Sequence, residues 1–236
     1  MSFESQKQAW SKIPIDDSGY FAISELMAKS DRELKEIVER FEATRYNPKE
    51  WRNHDNKWRS TLGLDTTKGK RILDYGCGLG IEALQFAKAG NRVSIADLSL
   101  DGLYLAQRVL NLYGFEPELC AVISEKYPFI HMPSDWKFDI FYSNGVIHHI
   151  PNAPEVISHA FEILNDDGEI RLMLYSDKGR DIAQKRGEDF VRFFDDVGEY
   201  ADWYDRKKIE QSFGDKIVQF DYITPDERYL TVTLKK

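Results

Sequence analysis

Asp74 is followed by glycines at 76, 78 and 80, and an apolar run, Ile72-Leu73, leads into it. A carboxylate and three alternate glycines after such a run describe a turn that leaves a strand and enters a helix, with backbone exposed to a ligand. A second carboxylate, Asp97, ends the next apolar run in "VSIADLS". Farther on, His148 and His149 follow the segment "FDIFYSNGVI".

Two chemistries compete for the glycine turn. A dinucleotide fingerprint wants G-x-G-x-x-G, so that backbone can approach a pyrophosphate at a helix N-terminus. Gly76 and Gly78 fit it, but the third position is Ile81, and Gly80 comes one residue early. Asp74 would also repel a pyrophosphate, whereas it would attract an ammonium group. Asp97 stands where ribose hydroxyls are bound in nucleotide folds. The pair therefore suits a nucleoside with a positively charged amino-acid tail better than one with phosphates.

The elements that must position these residues are short apolar strands alternating with amphipathic helices from Lys70 onward. Strands are expected at 71–75, 92–96, 118–123, 138–143 and 169–175. Helices follow the first at 81–89, ended by Gly90, and the second on the face Leu103, Ala106, Leu110 and Tyr113. Asn152-Ala153-Pro154-Glu155 starts another, with Val156, Ala160 and Leu164 turned inward. Single helices between strands imply parallel pairing. At the end, 216–223 and 228–234 flank a turn at Pro225-Asp226 and read as an antiparallel pair. The expected class is α/β: a Rossmann-like, mostly parallel seven-stranded sheet with an antiparallel C-terminal hairpin. An N-terminal helical segment and a helical insertion at about 178–213 complete it, and the expected division is a cap or lid over 1–66 and a main domain over 67–236. In the first part Ser30 and Glu33 form a capping box, and Asn47-Pro48-Lys49-Glu50 reads as a second helix start.

These segments together resemble class I S-adenosylmethionine-dependent methyltransferases of the small-molecule type. Asp74-Tyr75-Gly76-Cys77-Gly78-Leu79-Gly80 is similar to their D/E-x-G-x-G-x-G motif. Asp97 matches the acidic residue after their second strand, "FDIFYSNGVIHHIPN" their fourth-strand segment, and "ILNDDGEIRLMLY" their turn into strand five. The resemblance covers roughly 70–236. It implies S-adenosyl-L-methionine as cofactor and S-adenosyl-L-homocysteine as product. It also implies that Asp74 supports the amino end, that Tyr75, Gly76, Cys77, Gly78 and Gly80 form the turn beside the methionine part, and that Asp97 binds the ribose. Leu98 would cover the adenine, and Asn144 and Gly145 would flank the methionine group. The family often has an acidic residue after strand three; Ile123 stands there, leaving Ser124 and Glu125 as substitutes.

His148 and His149 lie where a methyl acceptor would approach. Methyl transfer is an in-line displacement that alignment serves, and a hydroxyl acceptor also gains from a general base. The same place in the family also serves packing or cofactor contact. A helix from Pro48 would set Trp51, His54, Asp55 and Trp58 on one face, with Tyr46 before them. That stripe either packs on the domain or closes over substrate. Arg45, Arg52, Lys57 and Arg59 are either solvated charge or an attraction for an acidic acceptor. Phe190, Phe193, Phe194, Tyr200, Trp203 and Tyr204 either line an acceptor pocket or close a core.

The 236 residues are 42% hydrophobic and 31% charged, an ordinary globular balance. A net charge of -8 argues against a nucleic-acid partner. The sequence lacks the N/D/S-P-P-Y/F segment of base-amine methyltransferases, having Ser143-Asn144-Gly145-Val146, and it offers no carboxylates for a metal at the strand-four edge. No metal is expected. The first residues hold no apolar signal-like run, no stretch is long enough to span a bilayer, and the two cysteines, Cys77 and Cys120, suit reduced thiols. A cytoplasmic protein is the expectation. The function expected is methyl transfer to a small molecule, with oxygen the favoured acceptor because the candidate bases are histidines. A nicotinamide-dependent oxidoreductase and a non-catalytic S-adenosylmethionine-binding protein are the alternatives.

Overall fold

The structure is a computed structural model that describes residues 10, 12–16, 19–124, 133, 135–186 and 200–236. Its centre is the run of apolar strands: β3 (Arg71–Tyr75), β4 (Arg92–Asp97), β5 (Cys120–Val122), β6 (Phe138–Asn144) and β7 (Leu164–Tyr175). These pair in parallel, and β8 (Ile217–Tyr222) and β9 (Tyr229–Lys235) close one edge antiparallel, giving the order β5-β4-β3-β6-β7-β9-β8. The expected seven-stranded sheet with its C-terminal hairpin is therefore observed. Strand order reverses beside β3, whose neighbours are β4 and β6, and such a switch point opens a crevice at the carboxyl ends.

Alternate strand residues feed two cores. Ile72, Ile95, Ile140 and Tyr142 pack with α4 (Ile81–Lys88), α5 (Leu100–Leu112) and α2 (Asp31–Arg45). Leu73, Phe141, Leu172 and Leu174 pack with α6 (Ala153–Glu162) and α8 (Arg206–Phe213). The two helices α1 (Ile23–Met27) and α3 (Lys57–Leu62) join the first core through Leu26, Trp58 and Leu62. Among the described residues no helix is long and apolar enough to cross a membrane.

The capping box forms as expected, Ser30 Oγ accepting from the Glu33 amide while the Glu33 carboxylate accepts from the Ser30 amide. Elsewhere the N-terminal segment departs from the helical expectation. β1 (Lys12–Asp16) and β2 (Gly19–Ala22) form a small antiparallel sheet. Pro14 lacks a helical amide and disfavours helical backbone in the residue before it. The helix expected from Pro48 also does not form. Pro48 lies in a turn, Trp51–Asn56 is a 3-10 segment, and Asp55 (φ 55°) and Asn56 (φ 60°) are left-handed before α3 begins. Buried Asn53 explains the break. Its Nδ2 donates to the Tyr46 carbonyl (2.8 Å) and to Asn56 Oδ1 (3.1 Å), and its Oδ1 accepts from the Arg59 amide (3.1 Å). Those side-chain bonds replace helical ones.

Within 178–213, α7 (Asp177–Arg186) and α8 are helical, but 200–205 is not: the Tyr204 amide donates to the Tyr175 carbonyl (2.9 Å), holding this stretch against β7. Phe190, Phe193 and Phe194 lie outside the described residues. Strand β7 starts at Leu164 rather than 169, a register shift between Phe138 and Ile140 accommodating residues 165–168.

Trp58 is 2% exposed, with the Arg45 guanidinium 4.7 Å from its ring centroid and the Tyr46 ring beside it. Trp58→Ala should therefore cost about 3–5 kcal/mol, read as a lower urea midpoint. An unchanged midpoint would put Trp58 outside the core.

Candidate functional site

The chain leaves β3 through three left-handed glycines, Gly76 (φ 77°), Gly78 (φ 52°) and Gly80 (φ 76°). Each has its own reason. A Cβ on Gly76 would meet Val146 Cγ2 at 2.4 Å, and one on Gly80 would meet Ala106 Cβ at 3.0 Å. One on Gly78 would meet nothing within 4 Å, so the middle of the turn faces open space. The amides of Gly76 and Cys77 both donate to the Ala96 carbonyl, at 2.8 and 3.0 Å, which locks the turn to the end of β4.

Asp97 is bound to the same turn. Its Oδ2 accepts from the Gly78 amide (3.0 Å) and its Oδ1 from the Ser99 amide (3.1 Å). Burial raises its carboxyl above the usual range, against the pull of those amide bonds. Leu98 is partly buried beside it, Ile123 is buried with its amide on the Asp97 carbonyl (2.8 Å), and Ser124 is exposed. Glu125 lies outside the described residues. Tyr75 turns away from the turn, into the core against Phe141. Burial raises the Cys77 thiol well above its ordinary value, so it is a small packing side chain and not a nucleophile.

Asp74 is 3% exposed, and its Oδ2 has no hydrogen-bond partner among the described residues. Burial, and then the Glu82 carboxylate, push its carboxyl well up; the Ala83 amide opposes them, and Asp97 adds to them. Asn144, at the end of β6, donates from Nδ2 to Glu82 Oε1 (3.2 Å), leaving a buried Oδ1 with no partner among the described residues. Gly145 follows with φ 78°, its amide on the Met173 carbonyl (3.2 Å).

Glu82 is the residue that sequence reasoning missed. At the second position of a helix an acid reads as an ordinary first-turn charge; only its burial, 7% exposed, marks it. Tyr46 Oη donates to it (3.3 Å) and Arg45 pairs with it (3.6 Å). Of the five side chains proposed for substrate, Tyr46 alone thus reaches the turn's neighbourhood. Trp58 is buried behind Tyr46, and Trp51 stacks on Tyr229 at 5.7 Å. His54 and Asp55 sit exposed, 3.2 Å apart. The break at Asn53 is why the four residues after Tyr46 share no face.

The two histidines adopt opposite tautomers. His148 Nδ1 accepts from the Tyr175 amide (3.3 Å), so the proton of its neutral ring is on Nε2; the ring stacks on Tyr175 at 3.7 Å. His149 Nδ1 lies 2.9 Å from the Tyr200 carbonyl, which can only accept, so Nδ1 carries the proton and Nε2 the lone pair. Trp10 packs 4.7 Å from the His149 ring. Burial lowers His149 to about 4 and His148 well below its ordinary value, so both are neutral near pH 7.

The chemistry of the crevice follows from what is left unsatisfied. Asp74 Oδ2 and Asn144 Oδ1 are buried acceptors. An ammonium group supplies donors and charge to both; a pyrophosphate supplies neither. An amino-acid tail therefore fits this end of the site, and the open face at Gly78 leaves room for a ligand against backbone.

The chain belongs to the methyltransferase-domain family, whose model matches residues 28–216. It is 28% identical over 197 residues to phosphoethanolamine N-methyltransferase 1 of Zea mays, covering 75% of this chain and 36% of that protein. It is 28% identical over 102 residues to ubiquinone biosynthesis O-methyltransferase of Salmonella paratyphi A, covering 43% of this chain and 41% of that protein. The chain spans less than half the length of these curated relatives. A putative methyltransferase from Bacillus halodurans matches with a TM-score of 0.56 at 23% identity, covering 69% of this chain and 70% of that one. Magnesium protoporphyrin IX methyltransferase from Synechocystis, solved with bound SAH, matches with a TM-score of 0.58 at 16% identity, covering 99% and 94%. These two likenesses are of fold. Family and fold thus agree with the class I S-adenosylmethionine-dependent resemblance carried by the motifs.

Gly78→Ala separates cradle from scaffold. Its Cβ meets no protein atom within 4 Å, so stability should fall only by the left-handed strain of roughly 1–2 kcal/mol. S-adenosylhomocysteine binding should fall at least about tenfold, because the methyl group enters the ligand's space. Unchanged calorimetric affinity would remove Gly78 from the site.

Proposed function

We propose, from this family membership, that the protein is an S-adenosylmethionine-dependent methyltransferase acting on a small-molecule acceptor, with oxygen the favoured methyl acceptor. The observation that carries the cofactor end is the pair of unpartnered buried acceptors, Asp74 Oδ2 and Asn144 Oδ1, beside a glycine turn open at Gly78. When bound, the cofactor supplies an electrophilic methyl group on a sulfonium.

The chain's residues divide the remaining work. Asp74 and Asn144 accept from the ammonium, and the backbone of 76–78 lies along the methionine part. Asp97 keeps lone pairs for the ribose hydroxyls while its two amide bonds fix its orientation. Leu98 and Ile123 line the adenine side, with Ser124 and Glu125 following them in the chain. Gly145 keeps the edge of β6 narrow where methyl and acceptor meet.

At the acceptor side, His149 is the residue assigned to align the acceptor's hydroxyl, and His148, stacked on Tyr175, holds the pair in place. A histidine titrating near 4 is a weak base, so its contribution is alignment of the nucleophile more than early removal of the proton. Tyr46 closes the methionine end through Glu82. Trp51, His54 and Asp55 belong to the rim, and Trp58 supports Tyr46 from the core. Residues 1–66 act as a cap on the domain formed by 67–236. The histidines are also the reason for preferring oxygen.

The test is calorimetric titration of the purified protein with S-adenosylhomocysteine, beside a reduced nicotinamide dinucleotide, followed by labelled-methyl transfer to panels of hydroxylated and amine acceptors. Saturable binding of the first ligand alone and label on hydroxyl compounds are expected. Binding of the dinucleotide alone overturns the cofactor reading, and label on amines alone overturns the oxygen preference. Asp97→Ala removes both the ribose acceptor and the anchor of the Gly78 amide, two charge-assisted bonds of about 1.5–3 kcal/mol each at most. It should weaken S-adenosylhomocysteine binding at least about tenfold, and an unchanged Kd would overturn the role given to Asp97.

A further inference from the structure

Buried carboxylates need partners, and Glu82 has three. Tyr46 Oη, Asn144 Nδ2 and the Arg45 guanidinium lie 3.3, 3.2 and 3.6 Å from the same oxygen, Oε1. Arg45 is itself held between the rings of Phe41 and Trp58, 4.5 and 4.7 Å from their centroids. Three elements thus converge on one side chain: the end of α2, the start of α4 and the end of β6.

The chemistry of the contact with Asn144 is directional. A carboxylate accepts and does not donate, so it holds the amide with Nδ2 toward itself. Oδ1 is then forced to the other side, where it is buried and unpartnered. Without Glu82 nothing among these contacts chooses between the two amide orientations, and the flipped one would present donors to an ammonium group.

On the reading of this crevice as the S-adenosylmethionine site, we infer that Glu82 is its positioning residue: it fixes Asn144 so that Oδ1 faces the ligand, and through Tyr46 and Arg45 it ties the end of α2 to that geometry. Glu82 also sets the charge the ligand meets. Asp74 is faced by Glu82 and the Ala83 amide from α4, by Asp97 from β4, by the Cys77 thiol from the turn and by the Tyr142 hydroxyl from β6. Among the described residues Arg45 pairs with Glu82, and no ion pair of Asp74 is found. The ligand's ammonium is the partner that Asp74 lacks.

Two measurements on the full chain test this, both by calorimetric titration with S-adenosylhomocysteine. The first is a double-mutant cycle of Glu82→Leu and Asn144→Ala, run above the pH window in which the free Asp74 carboxyl titrates, so that its protonation does not enter. If Glu82 acts through Asn144, each single change weakens binding at least about tenfold, and the double variant binds no more than about twofold more weakly than Asn144→Ala. Multiplying losses, or a Glu82→Leu variant with wild-type affinity, overturn the inference. The second uses Glu82→Gln, which is isosteric, can still accept from Asn144, and decides the matter if the leucine variant does not fold. Burial and neighbouring acids raise Asp74 in the free protein, whereas the ammonium favours its charged form. Affinity should therefore rise with pH through the free carboxyl's titration, with proton release in that window. Removing the neighbouring charge lowers that pKa, so the rise should move to lower pH in Glu82→Gln. A pH profile identical to wild type overturns the inference. Absence of wild-type binding at every pH would instead overturn the cofactor reading itself.

Discussion

The turn between β3 and α4 is the constraint from which the site follows. The Ala96 carbonyl accepts two successive amides from it, and Asp97 accepts a third, so the end of β4 dictates the path of the chain leaving β3. That path requires left-handed backbone at three positions, which glycine adopts without steric cost. Once it is fixed, Asp74 lies buried at the end of β3, Glu82 arrives on the first turn of α4 and Val146 fills the space where a Gly76 side chain would be. Displacing the turn by the width of a methyl group would disturb all of these together.

The crevice is built against its own electrostatics. Asp74, Glu82 and Asp97 converge where parallel strands end, with Arg45 as the cation paired among them. Burial of such groups is costly unless something neutralises them. The arrangement makes sense when the missing partner is a ligand that brings positive charge and hydrogen-bond donors. Beyond β6 the balance is different: the His148 and His149 rings pack against Tyr175, and burial keeps both histidines neutral near pH 7.

Much of this was legible in the sequence because it depends on local patterns. Strand periodicity, the spaced glycines and the two carboxylates near the strand ends are short-range signals, and parallel pairing followed from single helices between strands. What was not legible depended on contacts across the chain. Asn53 breaks a plausible helix because its amide finds Tyr46 and Arg59, which no periodicity announces. The same break buries Trp58 and exposes His54. Glu82 looks like any helix-start acid until Tyr46 and Asn144 close over it. The opposite tautomers of the adjacent histidines are set by backbone groups of Tyr175 and Tyr200, 27 and 51 residues away.

The most direct measurement is a crystal structure of the protein grown with S-adenosylhomocysteine. The account predicts the ligand's ammonium within hydrogen-bond distance of Asp74 Oδ2 and Asn144 Oδ1, its ribose hydroxyls on Asp97, and the Gly78 backbone against its methionine part. Ligand density at the turn with the ammonium turned away from both acceptors, or with the ribose away from Asp97, would contradict it.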